Sequence, residues 1–167
     1  MYKIESCSEK DSGDNFDNKK KTFTEKLSER LKDIMGEKGV DITRLSEAIG
    51  VSKSTISRYL KGTRIPKIEI LVKIADCFQC PLDYFATSEN YEEGKKFSPC
   101  LPFPERFRFL FEHFHKSRYA LCHGELHISE SVLYNWQNGN CMPTAENVYK
   151  MAEFFDCSMD FVMGRGD

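Results

Sequence analysis

The sequence has no long apolar run. None of its apolar stretches approaches the ~20 residues that a helix needs to cross a bilayer, and the polar segment Met1–Lys21 lacks the hydrophobic centre of a signal peptide. Hydrophobic residues make up 40% of the 167 residues and charged residues 30%, a balance typical of globular proteins. We therefore expect a cytoplasmic protein with no membrane partner.

Catalytic signatures are also missing. The sequence contains no nucleophile elbow, no glycine-rich phosphate-binding loop and no metalloprotease motif. Its acidic residues are scattered in a way that is typical of solvated helix surfaces. The sequence thus predicts a protein that is not an enzyme, with no catalytic residue and no cofactor.

The cysteine pattern excludes a secreted disulfide framework, because the seven cysteines are odd in number and scattered through helix-like sequence. Cys77-Phe78-Gln79-Cys80 has the spacing of some metal and redox sites, but no second pair stands at metal-site spacing. Among the histidines, only His123 and His127 share a helical spacing. We therefore expect buried structural thiols and no metal site.

The net charge of −2 does not by itself indicate a nucleic-acid partner. Its distribution along the chain is more informative. Residues 20–86 contain thirteen Lys or Arg and nine Asp or Glu, a net charge of +4, whereas residues 98–167 contain six and nine, a net charge of −3. Because the two halves differ in sign, we expect them to differ in partner.

Apolar residues recur at helical spacing from Phe23 onward, after a polar stretch that we predict to be a flexible tail, residues 1–22. Five short helices are predicted within about 65 residues, over 23–38, 41–49, 52–62, 67–78 and 81–85. Together they predict an all-α domain at 23–87. A proline-containing linker at 88–103, flexible first and stiffer later, then leads to a second domain at 104–164.

The third predicted helix has a thin apolar edge and a basic, hydroxyl-rich outer face. Ser52 can cap it by accepting a hydrogen bond from a first-turn amide, and Gly62 can end it in the left-handed conformation. Ile56 faces inward, with Tyr59 or Leu60 one turn on. Such a helix suits the major groove of DNA.

The segment LSEAIGVSKSTISRYLKGTRIP, residues 45–66, resembles the phage-repressor/Cro-type helix-turn-helix family, also called the xenobiotic-response-element family. The similarity continues through the apolar residues Leu71, Ile74, Ala75, Phe78, Leu82 and Phe85. The resemblance implies a five-helix, lambda-repressor-like domain that binds double-stranded DNA. It also implies a homodimer, because family members commonly bind palindromes as dimers, and a nucleoid-associated location in a bacterial cytoplasm.

A second, divergent copy is indicated by the overlay of the chain on itself after a shift of 77 residues. Val51-Ser52 falls on Ile128-Ser129, Ile56 on Leu133, Tyr59 on Trp136, Gly62 on Gly139 and Pro66 on Pro143. Upstream, Phe107, Leu110, Phe111 and Phe114 repeat the first helix, with a slip of about one residue before Cys122. The predicted fold is therefore all-α, with two tandem five-helix, lambda-repressor-like helix-turn-helix domains.

In the first copy, the first turns of the third helix are predicted to enter the groove, so we assign base edges to Lys53, Ser54 and Arg58. Thr55 is predicted to touch a base methyl or a phosphate. Phosphates are assigned to the backbone at Ile42 and Thr43, where Asp41 would oppose them, and to the side chains Lys61, Arg64 and Lys67. The alternative is that these cations form an ordinary solvated surface.

The second copy departs from the family where DNA chemistry matters. Glu130 replaces Lys53 and Asn135 replaces Arg58, which removes two cations and adds a carboxylate that phosphates repel. In the same overlay His127 replaces the turn glycine and Cys122 replaces core Leu45. Asparagine and glutamine can still read adenine edges. The candidate contacts of this copy, to DNA or to a protein partner, are Ser131, Asn135, Gln137 and Asn138.

Two functions remain open. The first is a sequence-specific DNA-binding transcriptional regulator, a repressor, in which one chain spans two half-sites or two chains pair through their second domains. The charge asymmetry favours pairing of two chains. The second is a protein-interaction module, such as an antitoxin or an antirepressor-like adaptor, in which helix-turn-helix folds serve as scaffolds.

Overall fold

The computed structural model describes residues 21–87, 89–124 and 127–166. Within these ranges the chain forms nine α-helices and one 3₁₀ turn, and its β-structure is a single isolated bridge. The all-α class is therefore confirmed. No helix in the same ranges combines the length and the hydropathy that a bilayer crossing requires. Most of the predicted tail, residues 1–20, lies outside the described residues.

The first half, residues 21–87, contains four α-helices and a closing 3₁₀ turn. These are α1 (Phe23–Glu37), α2 (Ile42–Ile49), α3 (Lys53–Leu60), α4 (Ile68–Phe78) and the turn Leu82–Phe85. The first three helices begin at side-chain caps, because Thr22, Asp41 and Ser52 each accept a hydrogen bond from a first-turn amide. The predicted fifth helix is thus only a 3₁₀ turn.

The core of the first half follows the predicted apolar faces. Leu27, Leu31 and Ile34 of α1 are buried, and α4 buries Ile68, Leu71, Ile74, Ala75 and Phe78. Ala48 is exposed, although its position predicts an inward side chain, because α2 turns only Leu45 and Ile49 into the core. Burial of each large apolar side chain stabilises the fold by about 1.5–3 kcal/mol.

In its described part, residues 89–124 and 127–166, the second half forms five α-helices. These are α5 (Phe103–His113), α6 (Arg118–His123), α7 (Glu130–Gln137), α8 (Ala145–Phe155) and α9 (Met159–Met163). Helix α5 begins at Phe103, the last residue of the predicted linker, whose ring packs edge-on against Trp136 at 6.2 Å. In α6 the buried residue is Leu121 while Cys122 is half-buried, so the predicted replacement of core Leu45 by Cys122 is wrong by one position.

Helices α7 and α8 begin and end 77 residues after α3 and α4. The buried pair of α3, Ile56 and Tyr59, has its counterpart in Leu133 and Trp136 of α7. The backbone also corresponds before each helix: Gly50 has φ 69° and His127 has φ 47°, both in the left-handed region. His127 therefore adopts a conformation that glycine adopts more easily.

The two halves meet in a junction of reciprocal hydrogen bonds. The amide of Ile68 donates to the carbonyl of Pro143 and the amide of Ala145 donates to the carbonyl of Pro66, each at 3.1 Å. These bonds flank an antiparallel bridge between Lys67 and Thr144. Each bond becomes the other when residue numbers are shifted by 77.

A second reciprocal pair joins the 3₁₀ turn to α9. The amide of Leu82 donates to the Asp160 carboxylate at 2.9 Å, and the amide of Met159 donates to the Asp83 carboxylate at 3.0 Å. Burial raises the pKa of both carboxyl groups, and these amide bonds oppose the shift. We call the two reciprocal pairs together the junction.

Arg165, which follows α9, adds further contacts to the junction. Its side chain is 1% exposed, and its Nη1 donates to the buried Asp160 carboxylate at 2.6 Å and to the Cys80 carbonyl at 3.2 Å. Its Nη2 donates to Asp76 at the end of α4, at 2.6 Å. The guanidinium also lies over the Phe97 ring. Arg165 therefore links α9 to α4 across the junction.

The predicted linker is attached to both halves. Near its start, Lys38, the residue just after α1, forms an ion pair with Glu93 at 2.6 Å, and the Tyr91 ring packs edge-on against Tyr84. Further on, the Ser98 amide donates to the Arg165 carbonyl at 2.8 Å. The part predicted to be flexible thus has specific contacts with the first half.

Candidate nucleic-acid interface

Helix α3 is held on the first half by its buried edge. Ile56 and Tyr59 are buried, while the opposite face exposes Lys53, Ser54 and Arg58. Of the two residues that the sequence offered one turn after Ile56, Tyr59 is buried and Leu60 is half-buried. The orientation of the helix therefore follows from its apolar edge.

The start of α3 carries a hydroxyl cluster. The Ser52 Oγ lies 3.0 Å from the Ser54 Oγ and 2.9 Å from the Thr55 Oγ1, and it accepts a bond from the Thr55 amide at 3.3 Å. This network fixes the side chains of the first turn before any ligand binds. Ser54 is exposed and Thr55 is half-buried, so Ser54 is the more accessible of the two.

The turn that aims α3 depends on a glycine. Gly50 caps α2 with φ 69°, and the amides of Gly50 and Val51 both donate to the Ser46 carbonyl. L-residues with a Cβ adopt this conformation at a cost, which explains glycine here. The turn fixes the angle between α2 and α3.

The cations assigned to DNA are exposed and form no ion pair among the described residues. They are Lys53, Arg58, Lys61, Arg64 and Lys67. Elsewhere in the described ranges, Lys21, Lys38, Lys150 and Arg165 do pair with carboxylates. The set around α3 is therefore available to an anionic partner at no cost in internal ion pairs.

The start of α2 is a less favourable phosphate site. Ile42 and Thr43 are half-buried, and Asp41 directs its carboxylate to the Arg44 amide at 2.8 Å. The amides of Ile42 and Thr43 can therefore still donate to another acceptor. The Asp41 carboxylate, however, lies at the same helix end and repels anions. The first turn of α2 therefore offers amides and an opposing charge together.

In the second half, the candidate polar side chains bond to one another or to nearby backbone. Asn135 accepts a bond from the Asn140 side chain at 3.2 Å, and Gln137 accepts one from Arg118 at 2.5 Å. The Asn138 side chain donates to the Tyr134 carbonyl at 2.8 Å, and the Ser131 Oγ lies 3.1 Å from the Ser129 Oγ. None of these four side chains carries a charge.

Two exposed tyrosines beside α7 were not among the residues that the sequence suggested. Tyr119 and Tyr134 are 69% and 65% exposed and line a groove of about 270 Å³ between α6 and α7, together with Cys122 and Leu133. In the shifted overlay Tyr134 falls on Ser57, and this exchange of a hydroxyl for a large ring was the available signal. The lining of the groove includes these aromatic and apolar side chains, whereas the exposed face of α3 is basic.

The thiols differ in their exposure. Cys80 is buried and burial raises its pKa to about 12, while burial also raises the pKa of Cys77, which remains exposed. Reactive Cys-x-x-Cys pairs have lowered pKa values instead. The expectation of buried thiols is correct for Cys80 and wrong for Cys77 and Cys141, which are exposed. Among the described residues no cluster of His, Cys, Asp and Glu could hold a metal ion.

Alkylation of the folded chain at pH 8 should label Cys77 and Cys141 well before Cys80. The two exposed sulfurs are open to reagent, whereas Cys80 is buried and its thiol, with a pKa of about 12, is almost fully protonated. Peptide mapping by mass spectrometry gives the order of labelling. In denaturant the difference should vanish, and equal rates in the folded chain would contradict the burial of Cys80.

Comparison with known proteins agrees with this geometry. Residues 31–85, from within α1 to the end of the 3₁₀ turn, match the family model described as helix-turn-helix. A candidate HTH-type transcriptional regulatory protein of Pyrococcus furiosus is 33% identical over 54 residues, which cover 32% of this chain and 17% of that protein. No solved structure matches the chain. The helix-turn-helix family model therefore matches about a third of the chain, a stretch that includes the whole of α2, α3 and α4.

Proposed function

We propose that this chain is a sequence-specific DNA-binding transcription regulator, a repressor, that reads the major groove with α3. The observation that carries the proposal is the exposed, unpaired set of cations on and just after α3, on a domain that matches the helix-turn-helix family. The name of the Pyrococcus furiosus relative supports a role in transcription. Occupation of the groove by such a domain excludes other proteins from the same DNA, which is the simplest way to repress.

The proposed contacts divide into readers and anchors. Lys53, Ser54 and Arg58 contact base edges, because they are exposed on the first two turns of α3. Thr55 contacts a base methyl or a phosphate. Lys61, Arg64 and Lys67 contact phosphates beside the groove, as do the amides of Ile42 and Thr43, and fix the position of the helix without reading sequence.

We also propose that residues 104–164 are a divergent second copy of the first domain. The coincident bounds of α3 with α7 and of α4 with α8 support this assignment, as do the buried pairs on α3 and α7. Ser131, Asn135, Gln137 and Asn138 are its candidate contacts to DNA or to a partner. The homodimer predicted from the family resemblance stays a prediction.

DNA binding by the chain should weaken by about 40- to 500-fold between 50 and 200 mM salt, because about three to five phosphate contacts release that many counterions. The measurement is a titration of the duplex that the purified chain selects from a random pool. An uncharged ligand would show almost no such slope. Absence of binding to every duplex at 50 mM salt would refute the proposed function.

A protein-interaction module is the second candidate function, and two observations on the second half favour it. Residues 98–167 carry a net charge of −3, and Tyr119 and Tyr134 are exposed on this half. A negatively charged half with exposed aromatic rings is unlike a DNA-binding helix. Exposed tyrosines are enriched in protein–protein interfaces. This function would leave the chain without affinity for DNA at low salt, so the titration above distinguishes the two.

A further inference from the structure

The junction has the symmetry of a dimer interface within one chain. Both pairs of hydrogen bonds are reciprocal under the 77-residue shift, as the contacts of an isologous two-fold interface are. Lys67 and Thr144 are the bridged pair between the flanking bonds. In an antiparallel ladder such a pair is opposed across a local two-fold axis. The axis of the junction therefore passes between Lys67 and Thr144.

Extended from the junction through both halves, this axis relates α3 to α7, whose bounds differ by the same 77 residues. Elements related by a two-fold axis lie at the same height along it and at the same distance from it. The seven-residue segments Lys61–Lys67 and Asn138–Thr144 connect the ends of α3 and α7 to the bridge. Extension of the local symmetry along these equal segments places both helices at the same end of the molecule.

The lengths of these two segments allow α3 and α7 to lie as far apart as two neighbouring half-sites on DNA. Seven residues span at most about 25 Å, so the C-terminal ends of α3 and α7 lie within about 50–55 Å of one another. Half-sites read by paired helix-turn-helix domains are about 34 Å apart, one turn of the duplex. Two neighbouring major grooves on one face of DNA are therefore within the range of one chain.

The two helices present different chemistry at equivalent positions. Helix α3 exposes Lys53 and Arg58, whereas α7 has Glu130 and Asn135 there. The exposed Ser131 and the half-buried Asn135 and Gln137 are neutral, and Glu130 repels phosphate. A duplex that meets both helices is therefore bound strongly by the cations of α3 and contacted by the neutral side chains of α7.

The paired surfaces are also occupied. Pro66, Ile68, Pro143 and Ala145 are buried in the junction, and Asp160, Leu82 and Met159 are buried at its second pair of bonds. A second chain could use these surfaces only by displacing the other half of the first. The sequence-based preference for pairing of two chains through their second domains is thus opposed by pairing within the chain.

We infer that a single chain occupies a DNA site with two unlike half-sites, the first read by α3 and the second contacted by α7. This inference rests on the proposed function and names the unit that performs it. It predicts one chain per site, a bipartite footprint and an imperfect palindrome.

Stoichiometry is tested on the duplex that the full chain selects from a random pool. The full chain is mixed with the same chain carrying an N-terminal folded tag, and the complexes are separated by gel mobility. One chain per site gives two shifted bands. A third band of intermediate mobility would show two chains per site and overturn the inference while leaving DNA binding intact.

The contact of α7 is tested with Ser131→Glu, at an exposed first-turn position where a carboxylate does not oppose the helix dipole. It should weaken binding to the selected duplex by about tenfold or more and leave unchanged the affinity for a duplex with the second half-site scrambled. Asn90→Glu, which adds the same charge at an exposed position before α5, is the matched control.

Hydroxyl-radical footprinting of the same complex should show two protected stretches about one helical turn apart. A single stretch, or Ser131→Glu with the affinity of the parent chain, would overturn the role of α7. Absence of binding to any duplex at low salt would remove the proposed function itself, which is a different outcome from either of these.

Discussion

Replacement of both Lys53 and Arg58 by alanine should abolish sequence-specific DNA binding. Both side chains are exposed on α3 and form no ion pair among the described residues, so their removal leaves no buried charge behind. A well-formed contact of such a side chain to a base is worth about 1–3 kcal/mol of discrimination. Loss of two such contacts should reduce specific affinity by at least about 30-fold.

A control with the same loss of charge separates recognition from net electrostatics. Lys32→Ala with Arg108→Ala removes two exposed cations from α1 and α5, away from α3. It should retain specific binding, with at most a modest general loss. Both variants should keep the helical circular dichroism of the parent, because alanine is the best helix former. Parent-like affinity of the α3 variant would show that α3 is not the recognition helix.

Replacement of Arg165 by alanine should destabilise the fold by about 3–5 kcal/mol, the usual cost of leaving a buried ion without its partner. The Asp160 carboxylate is 4% exposed and would keep only the amide of Leu82 as a donor of those described here. Since small proteins are stable by about 5–15 kcal/mol in total, the loss is large. Chemical denaturation followed by circular dichroism measures it.

Two further variants define the cause. Lys150→Ala removes a surface ion pair with Glu146, whose atoms lie 3.4 Å apart, and should cost no more than about 0.5 kcal/mol. Asp160→Asn added to Arg165→Ala should recover part of the loss, because asparagine can still accept from the Leu82 amide without a charge. Failure of the double variant to recover any stability would show that lost packing, not the stranded carboxylate, dominates.

The local structure of the first half was predictable because short-range signals agree there. The spacing of Leu27, Leu31 and Ile34 gave α1, and hydroxyl or carboxylate caps gave the starts of α2 and α3. Where signals were weak the predictions failed. The four residues after Pro81 fold as a 3₁₀ turn, since so short a segment forms few α-helical hydrogen bonds.

The contacts between the halves were not predictable from local pattern. Arg165 lies beyond the predicted second domain in a short polar stretch, and nothing in its neighbourhood indicates that it binds Asp76, 89 residues earlier. Asp83 and Asp160 stand 77 residues apart at equivalent positions, yet their exchange of amide bonds depends on the packing of the two halves. Long-range polar contacts of this kind leave no periodic trace in a sequence.

The sequence predicted which residues form the basic site around α3, but it did not predict the groove beside α7. The five cations around α3 are exposed as the helix pattern required. The groove beside Tyr134 was missed, because an aromatic residue at a repeated surface position is more often read as divergence than as a feature.

The junction has a consequence for how such a protein responds to its own concentration. Two half-molecules tied into one chain face each other at an effective concentration that expression level does not change. Occupancy of a DNA site would then rise with the first power of protein concentration, without the sigmoidal threshold of a repressor that must first assemble. The same covalent link lets a substitution alter one half alone, whereas in a homodimer every substitution occurs twice.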